Sequence, residues 1–326
     1  MKKGHVAIGL AVVLLVAALL VALFAGYKAA GLPKRLGFTL GVCTHGNESS
    51  ELYALEHGVR RFRTDISLSG SQEALLGMEH NMYNANYLGI LDYETLPGGS
   101  SNKNWSLEEW NASVANAINA YPWISAWEIW NEPLVAQFQT GYMNGSAHNY
   151  YMLIKSAYTI IKAREPNATI VCFGGAPIAD YPAMLWYAQV WNYGASKYCD
   201  AISIHAYQYA PALLSSEQLQ AWKASIYAYE NLTGKPIWIT EFGMPSYSEE
   251  LQGYTQSMQE AFFAQSLNLF NSMSFVKRAY WYDLWGLSDG AAGNNFGLLN
   301  LTDPNSSVTS KAWHAFLSAY SGGASN

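Results

Sequence analysis

The chain has 326 residues, 50% hydrophobic and only 13% charged, with a formal net charge of −6 and a pI near 5.6. There is apolar material for one large core, and the sparse, acidic charge argues against nucleic acid or an anionic membrane surface as partner. Tyr (23) and Trp (12) are plentiful instead; such rings suit the C–H faces of sugars, although low charge equally fits an acidic medium.

A short basic start, Met1 to His5, precedes an uninterrupted apolar run from Val6 to Ala25. Its length spans a bilayer. Secretion signals are shorter and end in a small-residue cleavage site, and no clean site follows here. Residues 1–30 are therefore read as an uncleaved signal anchor rather than a cleaved signal peptide. Lys2 and Lys3 place the following domain, residues 31–326, outside the cell. Asn-x-Ser/Thr sites at Asn47, Asn104, Asn111, Asn144, Asn167, Asn231, Asn300 and Asn305 agree with export. The three cysteines, Cys43, Cys172 and Cys199, lack metal-ligand spacing. A Cys172–Cys199 disulfide is open, but buried free thiols are favoured.

Strand and helix patterns alternate along the domain. Leu36 to Cys43 reads as a strand, Leu52 to Gly58 as a short helix and Val59 to Ile66 as the second strand. In that strand Arg61, Arg63 and Asp65 share one face, and charges pointing into a barrel are costly unless paired. Asn86 to Tyr93 is the third strand, with Asp92, Tyr93 and Glu94 at its tip and a Gly/Ser/Asn-rich loop after it. Leu107 to Tyr121 is a helix opened by a Ser106/Glu109 capping box. Ile124 to Trp130 is the fourth strand.

Helices at Asn149–Arg164, Pro182–Tyr193, Glu217–Leu232 and Leu251–Ser272 then interleave with strands at Ala168–Gly174, Asp200–Tyr207, Lys235–Glu241 and Val276–Tyr282. Asn295 to Leu299 and Thr309 to Tyr320 read as the closing turn and last helix. Eight strands alternating with helices predict an α/β fold, a (β/α)8 barrel with its chemistry at the C-terminal ends of the strands.

Two of those ends carry the chemistry. The fourth strand stops at Asn131-Glu132-Pro133. Proline disfavours the helical region for the residue before it, so Glu132 is expected to be extended at the tip. Trp127, Trp130 and Pro133 flank it, neighbours that favour a protonated acid, as proton donation needs. The seventh strand ends at Thr240-Glu241-Phe242-Gly243. Two glutamates at the tips of two distant strands form the arrangement of a two-carboxylate glycosidase.

Trp130-Asn131-Glu132-Pro133 followed by Trp238-Ile239-Thr240-Glu241-Phe242-Gly243 resembles the clan A retaining glycoside hydrolases, families 5 and 39 above all, from about Leu36 to Tyr320. The resemblance implies Glu132 as acid/base and Glu241 as nucleophile. It implies an arginine holding the nucleophile, Arg63 with Arg61 in reserve. His205 and Tyr207 would line the catalytic subsite, with the tyrosine bonded to the nucleophile. Trp281, with Trp285 as alternate, would form the floor under the reacting sugar, and Asn131 is expected on its 2-hydroxyl. No metal or organic cofactor is implied. The aromatic loops point to an extracellular polysaccharide and an endo-β-glucanase, cellulase-like, with β-1,3-glucan, mannan and xylan behind it. A transglycosylase that remodels surface glycan would use the same residues; a non-catalytic glycan-binding protein would not need both glutamates.

Overall fold

The computed structural model describes residues 31–46, 48–247, 252–286, 288–289, 294–299 and 309–323. The Val6–Ala25 run and Asn47, Asn300 and Asn305 lie outside them. Among the described residues no helix is long and apolar enough to cross a membrane.

Eight parallel strands close into a barrel in sequence order. They are β1 (Thr39–Cys43), β2 (Arg61–Asp65), β3 (Asn86–Leu91), β4 (Ala126–Ile129), β5 (Thr169–Pro177), β6 (Ala201–Tyr207), β7 (Ile237–Gly243) and β8 (Val276–Trp281). β8 pairs back onto β1 through Thr39 opposite Arg278 and Val42 opposite Trp281. The helices around it are α1 (Glu48–Glu56), α2 (Gly70–Tyr83), α3 (Leu107–Ala120), α4 (Ala147–Arg164), α5 (Tyr181–Asn192), α6 (Ser216–Thr233), α7 (Gln256–Asn271) and α8 (Lys311–Gly323). The strand and helix order matches the sequence reading, apart from α2, which the sequence pattern does not announce.

The caps are local and legible. Ser106 accepts from Glu109 N and the Glu109 carboxylate accepts from Ser106 N, so the predicted capping box opens α3. Ser215 and Gln218 do the same for α6, which Gly234 ends in the left-handed conformation.

Alternation along the strands produces two cores. Side chains facing outward pack under the helices with the largest buried rings, Trp110, Trp127, Trp130 and Trp281 among them; each such burial contributes roughly 1.5–3 kcal/mol. A smaller cluster, Cys43, Leu88, Ala126, Val171, Ala201, Trp238 and Tyr280, fills the barrel interior. At its N-terminal end the Arg278 guanidinium lies 4.0 Å from the centre of the Trp238 ring. Arg61 is at this end too, donating to the Tyr320 hydroxyl of α8 at 3.2 Å. The reserve arginine therefore ties the last helix to β2 and takes no part at the barrel mouth.

Cys172 on β5 and Cys199 before β6 form a disulfide, with Cα atoms 5.7 Å apart. This corrects the expectation of free thiols: consecutive strands bring the two together, a proximity that spacing along the chain does not encode. Cys43 is free and buried, and burial pushes its thiol pKa up.

Beneath α1 and α2 sit two fully buried carboxyls, Glu51 and Glu79. Glu51 accepts from the Thr44 hydroxyl and Glu79 from the Tyr87 hydroxyl. Burial, reinforced by the nearby Glu51, raises the Glu79 pKa from 4.5 to about 8. A carboxyl held protonated by the fold contributes stability that is complete below about pH 4.5 and lost as pH rises through about 8. Glu79→Gln is therefore expected to raise the melting temperature above that of the parent at alkaline pH and to leave it unchanged in acid. Thermal melts across pH check this; parallel curves would refute it.

Candidate active site

The site begins where β4 stops. Trp130 turns to φ +69° and Glu132 to φ +44°, so Glu132 is not extended as the following proline suggested. Packing sets this turn. Trp130 N donates to Leu91 O at 2.8 Å and Glu132 N to Gly174 O at 2.5 Å. The Trp130 ring is buried against Trp105 and Trp110, with centroids at 5.3 and 5.9 Å. Gly174 allows the approach: a Cβ there would lie 2.6 Å from the Trp130 carbonyl oxygen. Both flanking indoles, Trp127 and Trp130, are fully buried. What lies beside the Glu132 carboxylate is His205, whose Nδ1 is 2.8 Å from Oε1.

Arg63 is the hub beneath. It is 3% exposed, and each arm of its guanidinium has a partner. Nε donates to Glu128 Oε2 at 2.6 Å, Nη1 to Glu241 Oε1 at 2.5 Å and Nη2 to Asn131 Oδ1 at 2.9 Å. Burial opposes its charge, but Glu128 and then Glu241 outweigh this and push its pKa up. Glu128 was not singled out in the sequence. It is wholly buried and also accepts from Ser203 Oγ at 2.5 Å and Thr240 Oγ1 at 3.0 Å. The signal was there: a charge inside an apolar strand, two residues before Trp130.

Glu241, at the end of β7, is held from several sides. Arg63 takes Oε1, the Tyr207 hydroxyl donates to Oε2, and His205 Nδ1 lies 3.4 Å from Oε2. Ligand-type atoms of Glu132, His205 and Glu241 all fall within 4.8 Å of one another. These are metal-ligand types, but Arg63 already neutralises Glu241 and Tyr207 occupies its second oxygen. The geometry is that of two hydrogen-bonded carboxylates facing a common gap.

His205, 3% exposed, sits behind that gap rather than on its wall. Gly175 seats it: a Cβ there would come within 2.3 Å of the imidazole, at a backbone φ of +82°. Gly175→Ala is expected to displace the ring and lower kcat on the order of 10–100-fold with the fold retained. Turnover assays with circular dichroism test this, and unchanged kcat would count against His205 as the positioning group.

Above the carboxylates opens a cleft of about 620 Å³. Tyr207, Tyr282 and Phe296 form one wall, with centroids 5.5–5.7 Å apart. Tyr93 and Phe138, stacked at 5.7 Å, stand on the lining as well. Asp65, with His45 Nδ1 at 3.5 Å, and Glu94 supply its polar part. Arg63, Asn131, Glu132, Tyr207 and Glu241 thus meet at one cleft. Trp281 does not. It is fully buried between Phe242 and Phe263, with centroids at 5.2 and 5.5 Å, and cannot be a sugar floor. Strand parity is the reason: Tyr280 and Tyr282 face inward, so Trp281 faces the helices. Trp285, bridged to Leu299, is not on the lining either. The ring that β8 offers the cleft is Tyr282.

Three structural neighbours share the fold. A family 39 glycoside hydrolase from Bacteroides cellulosilyticus WH2 aligns with TM-score 0.63 and 18% identity over 88% of this chain, which spans 64% of that protein's length. A family 1 β-glucosidase from Thermotoga maritima gives 0.64 and 13%, over 90% of this chain and 99% of the other. A family 128 (subgroup I) endo-β-1,3-glucanase from Amycolatopsis mediterranei, solved in complex with laminarihexaose, gives 0.55 and 19%, over 86% and 99%. No curated protein sequence matches. The family model described as glycosyl hydrolase catalytic core matches residues 79–313. With that match across most of the barrel, the chain belongs to the glycosyl hydrolase catalytic core family, and its barrel has the fold of these glycoside hydrolases.

Proposed function

We propose that this protein is a retaining endo-β-glucanase acting outside the cell, with Glu132 as acid/base and Glu241 as nucleophile. The observation that carries the reading is the approach of Glu132 and Glu241 oxygens within 4.8 Å at the barrel mouth. Retaining pairs stand about 5–5.5 Å apart, whereas inverting pairs need about 6.5–9.5 Å to seat a water.

Glu132 protonates the glycosidic oxygen while Glu241 attacks the anomeric carbon, forming a glycosyl ester and releasing the leaving sugar. Glu132, then a carboxylate, takes a proton from water, which cleaves the ester and frees Glu241. Arg63 and the Tyr207 hydroxyl keep the Glu241 carboxylate placed for attack. His205 Nδ1, near both carboxylates, orients them. Asn131, fixed through Oδ1 by Arg63, presents its amide to the sugar 2-hydroxyl. Tyr282 takes the stacking role expected of Trp281.

The aromatic cleft suits a chain of sugars, and the β-1,3-glucanase neighbour supports a glucan. The Cys172–Cys199 disulfide supports an oxidising, exported location. Incubation with a 2-fluoro β-glucoside, followed by peptide mass analysis, should find the label on Glu241. Hydrolysis across β-1,4-glucan, β-1,3-glucan, mannan and xylan should be fastest on a glucan. A label elsewhere removes Glu241 as nucleophile, and preference for mannan or xylan removes the glucan assignment.

A further inference from the structure

The described cleft carries four carboxylates, Asp65, Glu94, Glu132 and Glu241, against the cationic candidates Arg63 and His45. Arg63 is engaged by Glu128, Glu241 and Asn131, and His45 by Asp65. Burial opposes the charge of Asp65, but His45 and Arg63 outweigh it and hold its pKa down.

The bias extends beyond the described lining. In the segments that leave the C-terminal ends of the eight strands for the next helix, Lys103 is the single Lys or Arg. Among the described residues, those same segments contain Glu94, Glu132 and Asp180. The segments that enter the strands are net basic, with Lys34, Arg35, Arg60, Lys197 and Lys235 against Glu165 and Asp200, and Lys277 adds to them inside β8. The barrel is therefore polarised, acidic at its mouth and basic at its base, which the net charge of −6 does not reveal.

From this polarity and the engaged state of Arg63 we infer that the cleft takes uncharged glycans and rejects chains bearing carboxylate or sulfate groups. This rests on the glycan-cleaving reading above and narrows its substrate class. An anionic sugar entering the cleft meets carboxylates, and among the described lining residues the cations, Arg63 and His45, are already engaged. Like charges brought together in a desolvated site cost several kcal/mol, and the repulsion weakens as salt shortens the screening length.

The test compares a neutral β-glucan with the same glucan oxidised at C6 to glucuronic acid. Initial rates at low salt should be at least about 100-fold lower on the oxidised polymer, and the gap should narrow at high salt. Asp65→Asn should raise the oxidised-to-neutral rate ratio, a change that a merely structural role for Asp65 would not produce. Rates within tenfold of each other overturn the inference, as does a ratio indifferent to salt. Retention in gels containing either polymer gives a readout without turnover. Selective retention by the neutral gel from a protein that hydrolyses nothing would sink the enzymatic reading and uphold this one. Equal retention by both gels, or none by the neutral gel, sinks this one.

Discussion

Replacing Glu241 by Gln is expected to lower kcat on β-glucan on the order of 10⁴-fold or more while leaving the barrel folded. The amide is isosteric, so its oxygen still accepts from Arg63 or Tyr207, and Arg63 keeps its second carboxylate, Glu128. On the proposed mechanism, what is lost is the charge and lone pair that attack the anomeric carbon. Reducing-sugar release, with circular dichroism and a thermal melt as folding controls, measures both halves. Turnover within tenfold of the parent would remove Glu241 from the chemistry. A large drop in melting temperature would show that its charge also holds the fold.

The second large effect is expected at Arg63. Arg63→Met leaves Glu128, 0% exposed, and Glu241 without their shared countercharge. Breaking such a buried pair costs about 3–5 kcal/mol, because the partner's charge stays behind in a poor solvent. Glu128→Gln alone should cost less, since Arg63 keeps Glu241 as its ion partner. The double variant Arg63→Met/Glu128→Gln should be more stable than the sum of the two losses predicts, because the stranded charge is removed. Urea denaturation of the parent, both single variants and the double variant gives the coupling. Additive losses would mean that Arg63 and Glu128 do not act as a pair. Activity should be lost in every variant that lacks Arg63, including the restabilised double, since the Glu241 carboxylate is then unsupported.

The barrel was legible because each strand is an apolar run bounded by turn or charged residues and each major helix has an apolar stripe. α2 escaped because its sequence has no such stripe: Leu76 is its one fully buried apolar side chain, and Glu79 is buried beside it. The two glutamates could be chosen from the strand ends, and Arg63, with Arg61 in reserve, from the family resemblance. Trp281 went wrong by one residue of parity, since the tip of β8 presents Tyr282 inward and Trp281 outward. The disulfide depends on a distance between neighbouring strands, and Glu128 on distances across the barrel to β2, β6 and β7. Sequence spacing holds no record of those distances, although the charge inside β4 was a visible hint.

Trp130 and Glu132 past the end of β4, and Phe173 within the adjoining β5, all adopt positive φ. Non-glycine residues reach that region only under local conformational stress of about 1–3 kcal/mol each. The cleft end of the barrel is thus in tension, restrained by the packing around it. Trp130 and Phe173 are buried aromatics whose packing outweighs that strain. Selection for heat tolerance alone would therefore relax Glu132 first, toward glycine or asparagine, and on the proposed mechanism would yield sturdier barrels that no longer cut their substrate.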